Sequence, residues 1–174
     1  MKDQKDKKIE EQFEFRSVRT EETEEAAALE QKCFPPNEAC APQFMKERIQ
    51  AAAEIFLVAV DRENGRIAGF LNGIATEEKH LRDEFFTDAS LHDPRGKNIM
   101  LTGLAVLPDY RGQGLAGELV ERYAQRERQK DRERLVLTCL EEKVEMYRKF
   151  GFQDLGLSGS VWGGEEWHEM VREL

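Results

Sequence analysis

Cysteine is scarce in this chain: three in 174 residues, Cys33, Cys40 and Cys139. An odd number with no metal-ligand spacing offers neither a disulfide framework nor a metal site, and points to a reducing compartment. Histidine is as rare, and His80, His92 and His168 stand apart from one another, which suits surface or hydrogen-bonded structural roles. No apolar run approaches transmembrane length and no signal peptide is visible, so the expectation is a cytoplasmic protein with no membrane partner. Basic residues are in deficit, 26 Lys and Arg against 35 Asp and Glu, for a net charge of −9. That leaves no positive surplus to neutralise phosphates and argues against a nucleic-acid partner. A cationic small substrate is compatible with it, although overall charge says little about one pocket. There is no G-K-[ST], which removes a P-loop, and no internal repeat or low-complexity segment.

What is present is 40% hydrophobic and 35% charged, enough for one domain with a real core. Residues 1–11, MKDQKDKKIEE, cannot bury enough to order themselves and are expected as a flexible charged tail, leaving 12–174 as the single domain. Phe13 to Val18 alternates like a first strand. Thr20 offers an N-cap to a helix carrying Ala26, Leu29 and Cys33, which ends at Phe34-Pro35-Pro36 because residues before proline leave the helical region. Phe34 to Pro42 reads as a loop, and Gln43 to Ala52 as a short helix. Glu54 to Val60 and Arg66 to Ala75 read as strands joined at Asn64-Gly65, with Gly73 marking a bulge. Thr76 to Asp88 is expected as a helix or helical turn. Leu135 to Leu140 reads as a strand and Glu141 to Phe150 as a helix with Gly151 as its left-handed cap. Phe152 to Val171 reads as a terminal hairpin turning at Gly163-Gly164. Strands alternate with helices before that hairpin, which predicts a mixed α/β sheet with helices on both faces.

The chain is organised around Leu101 to Gln125, LTGLAVLPDYRGQGLAGELVERYAQ. A short apolar strand ends at Pro108. A turn and glycines at 112, 114 and 117 follow, and then a helix with Leu115, Leu119, Val120 and Tyr123 on one face. A glycine-rich turn feeding a helix leaves backbone N–H groups unpaired with the helix dipole behind them, which is an anion site. Gly112 to Gly117 matches G-x-G-x-x-G, but a Pro-Asp-Tyr-Arg turn separates it from the strand, unlike the dinucleotide fingerprint.

The better match is Arg111-x-x-Gly114-x-Ala116 after strand, proline and aromatic, which resembles the acetyl-CoA-binding motif of the GNAT acetyltransferases. Tyr147-x-x-Phe150-Gly151-Phe152 is similar to a second motif of that family. From about Phe15 onward the order of features resembles the arylalkylamine (serotonin) N-acetyltransferase branch. These are Phe34 and Pro42; Leu91-His92-x-Pro94-Arg95-Gly96; Leu104-Ala105-Val106; Arg111-x-x-Gly114; Cys139; Tyr147 with its Phe-Gly-Phe; and Trp167 before Glu169-Met170. The resemblance implies the GNAT fold, with a mixed, mostly antiparallel central sheet.

By that resemblance the cosubstrate is acetyl-CoA, with no metal, and the acceptor is a small primary amine attacking directly in a ternary complex. Leu104, Ala105 and Val106 would pair with the pantetheine arm, and the Leu104 N–H would face the thioester carbonyl as an oxyanion donor. Arg111, Gly112, Gln113, Gly114, Leu115, Ala116 and Gly117 would form the pyrophosphate turn. Tyr147 would contact the cofactor and protonate the departing sulfur; a phenol of pKa about 10 suits a thiol of about 8.5. Phe34, Pro42, Thr138 and Trp167 would line an apolar substrate slot, which a further aromatic, Phe44, would help close. Met100 and Thr102 stand where the animal enzymes carry two histidines, so the base is open between a water chain past Thr102 and a carboxylate such as Glu141. Two alternatives stay open: a protein N-terminal acetyltransferase, and a non-catalytic acyl-CoA-binding module. The oligomeric state is open between monomer and homodimer.

Overall fold

The structure is a computed structural model that describes residues 4–174. Its centre is one seven-stranded sheet of order β1-β2-β3-β4-β5-β7-β6. The strands are Phe13–Ser17 (β1), Phe56–Asp61 (β2), Ile67–Thr76 (β3), Asn98–Val106 (β4), Arg134–Cys139 (β5), Gln153–Leu157 (β6) and His168–Glu173 (β7). All neighbours pair antiparallel except β4 and β5, which run parallel. Every residue of β2 and β3 is buried, as near-continuous apolar runs require when both faces of a sheet are covered. The expected bulge is there: the β3–β4 register shifts between Asn72 and Gly73.

The helices are Gln4–Gln12 (α1), Thr23–Cys33 (α2), Pro42–Ala52 (α3), the single turn Glu84–Thr87 (α4), Leu115–Gln129 (α5) and Val144–Lys149 (α6). Side chains alternate across a strand, so Gly69 and Asn72 of β3 face opposite ways. A Cβ on Gly69 would lie 3.3 Å from Leu119 of α5, while Arg48 of α3 donates to Asn72 Oδ1 at 3.0 Å. Helices therefore cover both faces, with α5 on one and α3, packed against α2, on the other. The inward stripe of α5 is Leu115, Leu119, Val120 and Tyr123, and the Tyr123 hydroxyl donates to Ile55 O at 2.8 Å.

Several local expectations need correction. The expected charged tail lies outside the described residues over 1–3. Over Gln4–Gln12 it is helical instead, with Ile9 buried and Glu10 held by Arg62 and Arg122. Polar composition hid one apolar anchor and two long-range ion and carbonyl contacts. Thr20 is not the cap of α2. It opens a 3₁₀ turn, and Glu22 closes that turn by accepting the Arg19 N–H at 2.8 Å and two bonds from Arg16. Between Thr76 and Asp88 only α4 is helical, because β3 itself runs on to Thr76. The terminal strands do pair, but the connection is longer than a two-glycine turn; Asp83 ties it down by accepting from Ser160 Oγ and the Val161 N–H.

Candidate active site

The parallel pair β4–β5 is joined only at its start, through Asn98, Ile99 and Met100. Beyond Met100 the two strands part. Leu107 N–H donates to Ala68 O at 2.8 Å. Backbone groups alternate sides along an antiparallel ladder, so at Leu104 and Val106 they point away from β3, into the opening. Val106 O is caught there by the Arg111 guanidinium at 2.9 Å and by the Cys33 thiol at 3.5 Å. The opening widens into a cavity of about 530 Å³ lined by Leu101 to Val106 of β4 and Leu137 to Cys139 of β5.

At one end stands the N-terminus of α5. Gly112 and Gly114 take φ of +82° and +85°, a region that costs an L-residue about 1–2 kcal/mol. No atom lies within 4 Å of where a Cβ on Gly112 would sit. Gly114 is the N-cap and no side chain caps the helix, so its first N–H groups face outward and Ala116 meets the cavity wall. That combination of bare amides, positive dipole and open glycine backbone fits the pyrophosphate of a CoA thioester.

At the other end is Tyr147, on α6. Its ring meets Phe150 and Phe152 edge-on, at centroid distances of 6.1 and 5.8 Å. Its hydroxyl makes no hydrogen bond among the described residues. Burial, with Cys139 nearby, holds the phenol well above its ordinary pKa. Burial also pushes the Cys139 thiol up to about 11, with Asp154 and Glu142 adding to it, so it stays protonated at neutral pH and is no nucleophile.

The third wall is aromatic. Phe34, Phe86, Trp162 and Trp167 line it. Phe86 and Trp162 stack at 4.9 Å. Trp162 is pinned through Nε1 to Glu38 O at 3.0 Å, and Trp167 through Nε1 to Trp162 O at 2.8 Å.

The profile of the Acetyltransferase (GNAT) family matches residues 23–152. The chain belongs to that family. The GNAT chain is 37% identical over 95 residues to serotonin N-acetyltransferase of Mesocricetus auratus, a match covering 54% of this chain and 44% of that protein, so it spans under half the length of that relative. Its fold is similar to that of the GphF GNAT-like decarboxylase in complex with isobutyryl-CoA, at a TM-score of 0.76 and 18% identity, covering 92% of this chain and 98% of that one. It is also similar to the loading GNATL domain of CurA from Lyngbya majuscula, at 0.78 and 16%, covering 92% and 97%. At those identities the two structures speak for the GNAT fold alone.

Within this GNAT domain the sequence-derived residues separate into three groups. Leu104, Ala105, Val106, Arg111, Ala116, Tyr147, Phe34, Thr138 and Trp167 all line the one cavity. Gly112, Gln113, Gly114, Leu115 and Gly117 form the turn and first helical residues beside it. There Leu115 sends its side chain into the core, Gln113 Nε2 donates back to Tyr110 O, and Gly117 leaves room for the Phe150 ring. Pro42 and Phe44 are not on the wall. Pro42 is the first residue of α3 rather than part of a loop, a position that suits its fixed φ and missing N–H.

Of the two routes suggested for the amine's proton, Thr102 lines the cavity and donates to Asn72 Oδ1 at 2.7 Å, whereas Glu141 is exposed and off the wall. The histidines are paired elsewhere, with Glu169, Glu54 and Asp154. Among the wall residues that the sequence did not assign to the site are Phe86, Trp162 and Glu30. Only Glu30 left a trace, as an acid on the apolar stripe of α2, four residues after Ala26 and three before Cys33.

Proposed function

We propose that the protein transfers an acetyl group from acetyl-CoA to a small primary amine within one ternary complex. The observation that carries this reading is the shared cavity: the split edge of β4, the bare N-terminus of α5, the unbonded phenol of Tyr147 and an aromatic wall all meet in it. The family and the likeness to serotonin N-acetyltransferase support acetyl transfer and a small-amine acceptor.

Acetyl-CoA supplies the acetyl group activated as a thioester. The amides of Gly112 to Gly117 hold its pyrophosphate, and the exposed edge at Leu104 to Val106 offers backbone groups to its pantetheine arm. The Leu104 N–H stabilises charge on the acetyl oxygen, a role that preorganised amides fill without reorganising. Tyr147 gives the departing sulfur its proton; the raised pKa keeps the phenol protonated and ready to donate throughout the neutral range. Phe34, Trp162 and Trp167 hold the apolar body of the amine, and Thr138 faces it from β5. Pinned indoles favour a compact acceptor over an extended peptide, since the wall is fixed by the two Nε1 bonds.

The test is release of free CoA from acetyl-CoA across tryptamine, phenylethylamine, spermidine and a short peptide, at about pH 7 and about pH 9, which bracket the approach to an alkylammonium pKa of about 10.4. Turnover of the aromatic amines is the expected result. Turnover of the peptide alone would replace the small-amine reading with N-terminal acetylation. Acetyl-CoA binding without turnover of any amine would make the protein a binding module.

A further inference from the structure

Glu30 is 3% exposed, yet it lines the cavity. One carboxylate oxygen, Oε1, accepts the Cys40 N–H at 3.1 Å. The other, Oε2, is buried with no hydrogen-bond partner. A buried carboxylate oxygen left bare is expensive and calls for a reason.

The neighbourhood does not supply one. Arg48 is 1% exposed, but it spends its guanidinium on Asn72 Oδ1 at 3.0 Å, Phe86 O at 3.0 Å and Cys40 Sγ at 3.4 Å. It acts on Glu30 only through space. The titratable groups facing Glu30 are Arg48 from α3, Cys40 from the segment before α3, and Cys33 from α2. The polar groups of this network on β3 and β4, Asn72 and Thr102, are uncharged. Thr102 donates its hydroxyl hydrogen bond to Asn72 Oδ1, so that hydroxyl is not turned toward Glu30.

We propose that Glu30 receives the ammonium group of the acceptor on Oε2 and takes its proton, acting as the general base of the reaction. The inference rests on the acetyl-transfer reading above and names the group that reading lacks. One ammonium proton passes to Glu30, freeing the nitrogen lone pair. The N–C bond forms as the C–S bond breaks, the nitrogen's second proton leaves to water, and the sulfur takes the proton of Tyr147. Glu30 then returns its proton to solvent, and Tyr147 is reprotonated from it, so one proton is released per acetyl transferred.

The chemistry matches the environment. Burial raises the Glu30 pKa against the lowering by the Cys40 N–H and Arg48, which narrows the gap to the amine and improves proton transfer. An acid with a raised folded pKa lowers stability above that value, and the loss is recovered as pH falls through it.

The test compares wild type with Glu30→Gln, which keeps an oxygen for the Cys40 N–H. It follows kcat/KM for phenylethylamine from pH 6 to 10, Tm, and calorimetric binding of phenylethylamine and of the matching alcohol with CoA present. Expected for the variant is a fall in kcat/KM of about 100-fold at neutral pH. The deficit should shrink toward pH 10 as free amine is supplied by solution. Amine binding should weaken about tenfold, with alcohol binding unchanged and Tm equal or higher. An active wild type with a variant within threefold at every pH and an unaltered profile would overturn Glu30 as base and leave acetyl transfer standing. A wild type that binds amines in a Glu30-dependent way but turns none over would sink acetyl transfer while keeping the ammonium site. No amine binding at all would overturn both.

Discussion

Removing a single oxygen, by Tyr147→Phe, tests the proposed leaving-group step while disturbing little else. The hydroxyl has no hydrogen-bond partner among the described residues, so its loss orphans no group, and phenylalanine keeps the edge-on contacts at 6.1 and 5.8 Å with Phe150 and Phe152. Stability is therefore expected to stay within about 0.5 kcal/mol. General acid catalysis contributes about 10²–10⁴ in rate. A thiol of pKa about 8.5 is a fair leaving group even as thiolate, which places the loss at the low end. The expected fall in kcat is about 100-fold, or about 2.7 kcal/mol at about 1.36 kcal/mol per decade. The assay is free-CoA release at saturating amine, run beside acetyl-CoA affinity by calorimetry and Tm. Because burial holds the Tyr147 pKa above 10.0, wild-type activity should show no decline from phenol ionisation up to about pH 9. A kcat loss under threefold, with wild-type Tm and affinity, would refute the assignment; parallel losses in Tm and affinity would show that the hydroxyl matters for the local structure instead.

Gly112→Ala puts a Cβ into open space at φ +82°, so its cost is backbone strain of about 1–2 kcal/mol; acetyl-CoA binding should weaken at least about tenfold, and an unchanged affinity would contradict the pyrophosphate role. Glu22→Gln removes the charge and one of the two oxygens that accept from Arg16 at 2.7 and 2.8 Å and should cost about 1.5–3 kcal/mol at pH 7. Arg16 and the Arg19 N–H hold the Glu22 pKa below 4.5, so its contribution is full above that value and is lost as pH falls through the depressed folded one; denaturant melts of both proteins should converge in acid. Among the cysteines, Cys40 and Cys139 are buried and Cys33 is the more accessible, so iodoacetamide should label Cys33 first and acetyl-CoA should protect it; prior labelling of Cys139 would contradict the geometry.

Short-range pattern was enough to identify the strand through Leu104, the glycine turn, the start of α5 and the Tyr147 helix with its Gly151 cap. Each depends on a period of two or 3.6 residues, or on a backbone angle that glycine alone adopts freely, and those constraints act between neighbours in the chain. Composition likewise settled the scarcity of histidine that left the base unnamed. What lies between distant segments was beyond its reach. That β4 and β5 part after Met100 follows from how two parallel strands are set in the sheet, and no residue in either announces it. Phe86 and Trp162 read separately as ordinary aromatics and become a wall only when the segment anchored at Asp83 folds over the cavity. Pro42 fits the slot by order along the chain, yet helix geometry turns it into the first residue of α3 and away from the wall. In the sequence Glu30 shows only as an acid on the apolar stripe of α2, with nothing to say what surrounds it. Tertiary packing gives it meaning, by burying the carboxylate, engaging Arg48 elsewhere and leaving Oε2 without a hydrogen-bond partner in a residue that lines the cavity.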